Sequence, residues 1–145
     1  MKAKQSNLGT YILILKLEKD TQVRVGRLGN INFKAGFYLY TGSAFNSGGL
    51  NARLKRHLST NKKIQWHIDY LREKCSVEEI IISHAKEKLE CIWADKLTRS
   101  TDYSIPGFGC SDCKCRSHLF YFKDSSGLEI VKKKLPAIDE IVTAL

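Results

Sequence analysis

The residues that could carry chemistry lie in or near a stretch of the chain without acidic side chains. Residues 21–68 contain eight Lys or Arg and no Asp or Glu, so this stretch predicts a surface that attracts phosphate. Within this stretch or just before it are side chains that can move protons or stabilise a charged phosphorus centre. They are Tyr11, Tyr40, Arg53, His57 and His67. The pattern indicates chemistry on a phosphate ester.

The charge of the whole chain favours a polyanionic partner. The formal net charge of the 145 residues is +9, from 24 basic and 15 acidic side chains. Residues 1–74 hold 14 basic against 4 acidic side chains, whereas residues 75–145 hold 10 against 11. This asymmetry favours nucleic acid over the alternative of a basic face that serves solubility.

Length and composition predict one globular domain over residues 1–145. The chain is 43% hydrophobic, with 10 Gly and 2 Pro, and is long enough to bury a core without cross-links. Its five cysteines are odd in number. We find no signal peptide and no apolar run near the ~18 residues of a membrane span. We therefore expect a reduced, cytoplasmic protein with no membrane partner.

The sequence patterns predict an α+β fold, in which a small antiparallel sheet with flanking helices positions these residues. Apolar and β-branched runs predict strands at 9–17, 22–28, 31–34, 37–42, 77–83 and 118–123. Apolar spacing predicts helices at 50–58, 65–73 and 86–99, and a helical tail from residue 128. We expect segment 22–28 to pair with the first strand as part of an N-terminal antiparallel meander.

Helical spacing brings three chemical side chains to the edges of apolar faces. Arg53 and His57 are four residues apart beside a leucine stripe, so both can reach inward over a sheet edge. Glu90 lies on the margin of the apolar arc of the third helix. A half-buried carboxylate there needs a base, a hydrogen-bond donor or a metal. The alternative is an exposed glutamate on a helix flank.

Two short motifs carry a family resemblance. Gly9-Thr10-Tyr11 on the first strand and Tyr40-Thr41-Gly42 on the last strand of the meander resemble the paired triads of the GIY-YIG nuclease superfamily. The helix 50–57 resembles the catalytic-arginine helix of that family, with Arg53 and then a histidine one turn on. The resemblance covers about residues 9–97 and leaves about residues 98–145 as a C-terminal extension.

The remaining site residues match the same family in order along the chain. His67 stands where several members have a second histidine, and Glu90 where the family places its metal-binding glutamate. Segment 107–119, GFGCSDCKCRSHL, resembles the tail of a microbial branch. Members of that branch carry a similar core alone or fused to a DNA-repair glycosylase domain.

The sequence departs from the family pattern in three ways. Both triads have Thr in place of the middle Ile, at Thr10 and Thr41, positions that we expect to pack or pair within the sheet. The link from Tyr11 to Tyr40 is longer than in typical members, which implies an extra hairpin. The late asparagine of the family has no clear counterpart here.

The resemblance implies a metal-dependent endonuclease, a hydrolase of phosphodiester bonds in DNA, with a role in repair. Glu90 would hold one Mg²⁺ or Mn²⁺ and Arg53 would clamp the phosphate. Tyr40 would be the general base, with Tyr11 as its neighbour in a proton relay, if positive charge lowers its pKa from about 10. The histidines His57 and His67 would relay or orient the proton.

Flanking basic residues are candidates for contacts to the nucleic acid. They are Lys55, Arg56, Lys62 and Lys63. Two other functions stay open: a non-cleaving nucleic-acid-binding module or partner of a repair enzyme, and RNA processing. Taken singly, each tyrosine would be a structural strand residue, and His84 would be a surface residue.

The cysteine-rich segment permits three interpretations. Cys110, Cys113, Cys115 and His118 are close enough in sequence to bind zinc, but their spacing fits none of the common zinc patterns. We expect a reduced loop that packs near the cleft, with structural zinc as the alternative. Asp112 or His118 would line the cleft in a third arrangement.

Overall fold

The computed structural model describes residues 6–59, 63–110 and 115–143. Its strands are β1 (Gly9–Leu17), β2 (Thr21–Arg24), β3 (Asn30–Phe33), β4 (Gly36–Ala44), β5 (Ser76–Ser83), β6 (Tyr103–Ser104), β7 (Leu119–Phe122) and β8 (Glu140–Thr143). Its helices are α1 (Gly49–Leu58), α2 (His67–Arg72), α3 (Glu90–Ser100) and α4 (Ser125–Lys134), with a 3-10 turn at Gly26–Leu28. The α+β class and the antiparallel sheet with flanking helices are confirmed.

The six-stranded sheet has the order β6-β7-β4-β1-β5-β8, and β1 lies near its centre. Successive β1 side chains point to opposite faces, and both faces are buried. Leu13 and Leu15 join the core beneath α1 and α2, whereas Ile12 and Ile14 join the core beneath α3 and α4. The uninterrupted apolar run of β1 is therefore explained by its burial on two sides.

The expected pairing of segment 22–28 with β1 is wrong. β1 instead pairs with β4 along its whole length, from Gly9↔Ala44 to Leu17↔Gly36. β2 pairs only with β3, as a separate two-stranded hairpin. The nine-residue β4 can satisfy all of β1, whereas β2 has four residues. The extra hairpin between the two motif strands is thus present, but it is separate from the central sheet.

The expected helical tail is correct only as far as Lys134. Pro136 follows the helix, and Ala137 adopts a left-handed φ of 61°, which turns the chain. The next residues form β8, which pairs with β5 from Ile82↔Glu140 to Glu79↔Thr143. A short strand covers the backbone groups of β5 that would otherwise form the sheet edge.

The third helix begins later than its apolar spacing predicts, at Glu90 and not at residue 86. Its start is held to the sheet because the Leu89 amide donates to the Thr10 hydroxyl, at 3.3 Å. None of the helices in the described ranges is long and apolar enough to cross a bilayer.

Candidate functional site

A cleft of about 520 Å³ opens where β4 runs on past the end of β7. The β4–β7 pairing stops at Tyr40↔Leu119, and one further bond joins the Thr41 amide to the His118 carbonyl at 3.0 Å. Four residues singled out from the sequence line this cleft. They are Tyr40, Arg53, His67 and Glu90.

The cleft receives side chains from both faces of the sheet. Helix α1, which carries Arg53, packs on one face. Helix α3 packs on the other through Trp93 and Leu97. Glu90 is the first residue of α3 and reaches the cleft beside the end of β4, with its side chain 24% exposed. The expected half-buried carboxylate is confirmed.

The two motif tyrosines share one face of neighbouring strands. Tyr11 pairs with Gly42, and Tyr40 pairs with Leu13, so the tyrosines are diagonal neighbours. A Cβ atom built on Gly42 would lie 2.4 Å from Cζ of Tyr11. The Tyr11 ring therefore covers the backbone of residue 42, which explains why the second triad ends in glycine.

Tyr11 and His57 form a buried pair behind the cleft. The Tyr11 hydroxyl and His57 Nε2 are 2.6 Å apart, and both residues are at most 1% exposed. The His57 ring centroid lies 6.1 Å from that of Tyr40. This pair does not line the cleft itself but supports the wall that presents Tyr40.

Burial raises the pKa of both phenols. For Tyr40, burial is the largest cause, and the nearby Tyr11 and Glu90 raise its pKa further, while Arg53 lowers it. For Tyr11, burial also dominates, although Arg53 lowers the pKa. The positive charge of Arg53 therefore does not offset burial, and both tyrosines are neutral near pH 7.

The Arg53 guanidinium is held at the rim of the cleft. Its Nη1 donates to the Ser43 carbonyl at 3.0 Å, and Cζ lies 4.5 Å from the ring centroid of Trp66. Stacking on an aromatic ring orients a guanidinium without using all of its N–H donors. Arg53 can therefore present its remaining donors to an anion in the cleft.

Arg56, expected among the DNA contacts, has a different environment. It makes two 2.8 Å hydrogen bonds to the carboxylate of Asp69, which is fully buried. Asp69 also accepts from the amides of Trp66 and Gln65. Burial raises the pKa of Asp69, but these hydrogen bonds outweigh it and hold the pKa below the usual value. Arg56 therefore joins α1 to α2.

The other basic residues predicted to contact nucleic acid are Lys55, Lys62 and Lys63. Lys55 and Lys63 are exposed, as a phosphate contact requires. Lys62 lies outside the described residues.

His67 lines the cleft opposite Glu90's helix, from the first position of α2. Its Nδ1 accepts from the Gly109 amide at 2.9 Å, which leaves the proton of the neutral ring on Nε2. The ring also packs against Phe108. Burial lowers the pKa of His67. The ring is therefore neutral near pH 7, with one N–H to donate.

The sequence offered His118 only as a zinc ligand or as a residue lining the cleft, and its contact with Glu90 was not predicted; His118 is not among the described residues that line the cleft. It is fully buried, and its Nε2 lies 3.3 Å from Oε1 of Glu90. Its Nδ1 lies 2.7 Å from the Thr41 hydroxyl. Burial lowers the pKa of His118, and the Glu90 charge opposes that shift. The signal available in the sequence is the position of His118 at the start of the predicted strand 118–123, whereas its proximity to Thr41 follows only from the pairing of β4 with β7.

Both triad threonines hold the surroundings of Glu90 by side-chain hydrogen bonds. Thr10 binds the amide of Leu89, which precedes Glu90, and Thr41 binds His118, which contacts Glu90. The expectation that these positions only pack or pair within the sheet is therefore incomplete. The threonine hydroxyls fix the α3 side of the site.

The cysteine segment is only partly described. Cys115 and His118 lie close together, joined by Cys91 of α3 and not by Cys110. The Cys110 thiol donates to the Phe108 carbonyl. Cys113 and Asp112, two of the expected candidates, lie outside the described residues.

Comparison with known proteins gives a match at the level of a family. The family described as "Domain of unknown function DUF123" matches residues 10–139. No curated protein and no solved structure matches the chain.

Proposed function

We propose that this chain, which belongs to the DUF123 family, is a metal-dependent endonuclease that hydrolyses phosphodiester bonds in DNA. The proposal keeps the resemblance of the two triads to the GIY-YIG nuclease superfamily. One observation carries it: Tyr40, Arg53 and Glu90, which are far apart in sequence, line a single cleft. These three groups can hold a metal ion, stabilise charge on the phosphoryl oxygens and transfer a proton, which are functions that phosphodiester hydrolysis uses.

Glu90 is the group that we expect to hold Mg²⁺ or Mn²⁺. It is the one carboxylate among the described residues that line the cleft, where Ser43, Asn46 and Gln65 add oxygen atoms. Hard divalent cations prefer such oxygen ligands, so the donor set fits. When bound, the ion supplies positive charge to the phosphoryl oxygens.

Arg53, Tyr40 and His67 supply phosphate binding, proton transfer and orientation. Arg53 binds non-bridging phosphate oxygens with the donors that Ser43 does not use. Tyr40, as the phenolate, takes the proton of the attacking water as general base. The water oxygen bonds to phosphorus, and the sugar oxygen leaves and takes a proton from solvent. His67 donates from Nε2 to orient the water or the phosphate. The buried Tyr11–His57 pair supports the side of the cleft that carries Tyr40. In this proposal the pair also relays the proton that Tyr40 accepts.

The surroundings of the cleft suit a DNA substrate. Lys55 and Lys63 are exposed and lie two residues from Arg53 and Gln65, which line the cleft, so in this proposal they contact phosphates beside the reacting one. Cys75 and Cys91 are free thiols, which suits the reducing cytoplasm.

A role in repair, with a partner protein that delivers the substrate, belongs to this proposal.

The test is cleavage of supercoiled and branched DNA with Mg²⁺ or Mn²⁺, beside matched RNA substrates. We expect cleavage of DNA by the wild type and a loss of about 10²-fold or more in Glu90→Gln. Glu87→Gln is the matched control, because Glu87 is exposed and precedes the same helix. Equal cleavage by Glu90→Gln and wild type would refute the proposal, and selective cleavage of RNA would redirect it to RNA processing.

A second function, a nucleic-acid-binding module without cleavage, is favoured by the raised pKa of Tyr40 and Tyr11. Without a bound cation the cleft offers no ionised phenol near pH 7. Salt-dependent DNA binding with no turnover in either metal, from pH 7 to about 9.5, would support this function over the first.

A further inference from the structure

We propose a second metal site, for a soft divalent cation such as Zn²⁺, formed by Cys91, Cys115 and His118. The ligand atoms of these residues, two Sγ and one ring nitrogen, all lie within 4.8 Å of one another. They come from α3 and from the segment that leads into β7. The site goes beyond the nuclease proposal and does not depend on it.

The spacing suits tetrahedral zinc. Zn–S bonds of about 2.3 Å and Zn–N bonds of about 2.0 Å place ligand atoms roughly 3.5 to 3.8 Å apart. The observed limit of 4.8 Å leaves only a small side-chain movement to close this distance. Cys91 is exposed on the surface of α3, so its side chain can make that movement without disturbing the core.

His118 is held in the way that a ligating histidine usually is. Its Nδ1 faces the Thr41 hydroxyl at 2.7 Å and its Nε2 faces the Glu90 carboxylate at 3.3 Å. Either nitrogen can bind the metal while the other keeps its hydrogen-bond partner, which orients the ring. The ring is fully buried, so the position of this ligand is well defined.

The site also has an entry path. A cavity of about 440 Å³ is lined by Cys91 and Cys115 together with Thr98, Asp95 and Ser117. A cation can reach both sulfur atoms through this cavity, and water can complete a three-ligand site. Binding releases the two thiol protons, so we expect the affinity to fall as the pH is lowered.

The ligand chemistry separates this site from the one proposed at Glu90. Thiolates and imidazole select zinc-like cations, whereas a carboxylate among amide and hydroxyl oxygens selects Mg²⁺ or Mn²⁺. A cation bound by Cys91 and Cys115 would fasten the start of α3 to the segment before β7. Glu90 and His118 belong to these two segments, so the cation would act as a brace beneath the cleft.

The test is metal content and Co²⁺ spectroscopy on the full chain purified without chelator. We expect about one Zn²⁺ per chain and, after exchange, the visible absorption of tetrahedral Co²⁺ with thiolate ligands. Cys91→Ser and Cys115→Ser should each lose most of the bound metal. Cys110→Ser is the matched control and should keep it, because Cys110 is outside the cluster.

Stability gives a second readout that is independent of nuclease activity. Chelation should lower the Tm of the wild type by about 5 °C or more, and that of Cys91→Ser by much less. Circular dichroism shows whether each variant is folded. The proposal is overturned if the folded wild type binds neither Zn²⁺ nor Co²⁺. It is also overturned if Cys110→Ser loses metal that Cys91→Ser retains, or if Cys91 and Cys115 are found as a disulfide that excludes metal.

Discussion

At the residue scale, Tyr40 is in an environment that opposes the ionisation its proposed role requires. Burial and the nearby Glu90 raise its pKa, and Arg53 compensates only in part. A cation bound at Glu90 would remove the unfavourable charge and add a favourable one. The proposed base and the proposed metal ligand are therefore coupled.

The first prediction concerns the pH dependence of cleavage. The pKa of Tyr40 is raised above its usual value, so ionisation of the phenol is still incomplete at pH 9. The ionised fraction therefore increases throughout this range, and the cleavage rate should rise from pH 7 through about pH 9. Tyr40→Phe should lower the rate by about 10²- to 10⁴-fold and remove this rise. Tyr70→Phe, a change at a partly buried tyrosine of α2, should retain both. A pH-independent rate in the wild type would contradict Tyr40 as the base.

The second prediction concerns Gly42. A methyl group there would meet Cζ of Tyr11 at 2.4 Å, so Gly42→Ala should cost about 2 kcal/mol of stability through overpacking. It should also move the Tyr11–His57 pair. In a Tyr11→Leu background the same change should cost much less, and a double-mutant cycle in denaturant measures the difference. Equal costs in both backgrounds would show that the ring is not the obstacle.

At the scale of elements, the junction of α1 and α2 holds the basic stretch in place. The first acidic residue after that stretch, Asp69, is buried and binds Arg56. The same carboxylate accepts hydrogen bonds from the amides of Gln65 and Trp66, directly before α2, which fixes the chain where it enters the helix. One buried carboxylate therefore positions both helices, together with Trp66, against which Arg53 stacks.

The third prediction follows from this junction. Asp69→Asn should cost about 3 kcal/mol, because it leaves a partly buried guanidinium without its counter-charge. Asp95→Asn is the control, since its pair with Arg99 is exposed and should contribute less than about 1 kcal/mol. Urea denaturation measures both changes.

The pH dependence of the same contribution has a definite sign. The folded-state pKa of Asp69 is lowered, so its stabilisation is present above the ordinary carboxyl pKa of about 4. It is lost as the pH falls through the folded-state value. Asp69→Asn should therefore flatten the acid limb of the stability curve, and an unchanged acid limb would contradict the assignment.

At the scale of the whole molecule, the two ends of the described chain meet at His84, which is not the simple surface residue expected. Its Nδ1 lies 2.6 Å from the Ser6 carbonyl, and its Nε2 lies 2.6 Å from the Glu140 carboxylate. This contact joins the segment before β1, the end of β5 and the start of β8. The interaction with both oxygens requires the protonated ring.

The fourth prediction is a pH-dependent contribution from this contact. Burial lowers the pKa of His84, but Glu140 and the Ser6 carbonyl outweigh it, so the folded-state pKa is raised. The stabilisation is present below the unfolded pKa of about 6.5 and is lost as the pH rises through the higher folded value. The wild type should lose stability relative to His84→Gln between about pH 6 and pH 9. Parallel curves for the two proteins would contradict this prediction.

The fifth prediction uses the uneven charge of the molecule. If DNA binds beside the cleft, Lys55→Gln with Lys63→Gln should reduce the salt slope of the affinity by about two, roughly one per phosphate contact. Lys133→Gln with Lys134→Gln removes equal charge from exposed positions of α4, on the other face of the sheet. This control should leave the slope nearly unchanged. Similar losses in both double variants would indicate nonspecific attraction by net charge.

The sequence by itself determined most of the local structure. The bounds of β1 were predicted as observed, and α1 was predicted to within a residue, because apolar periodicity depends only on neighbouring positions. The half-burial of Glu90 followed in the same way from its place on a helix arc. Four of the polar residues that line the cleft, Tyr40, Arg53, His67 and Glu90, match the family motif in the sequence, whereas Ser43, Asn46, Gln65 and Lys88 were not predicted to line it.

The tertiary structure alone decided which distant segments meet. Three contacts join segments that are far apart in sequence: β1 pairs with β4, β8 pairs with β5, and Arg56 forms an ion pair with Asp69. The same is true of His118 beside Glu90 and of Cys91 beside Cys115. Periodicity shows which face of an element is buried, but not which segment covers it. The cleft and the thiol cluster therefore depend on the order of strands in the sheet, which local sequence patterns do not determine.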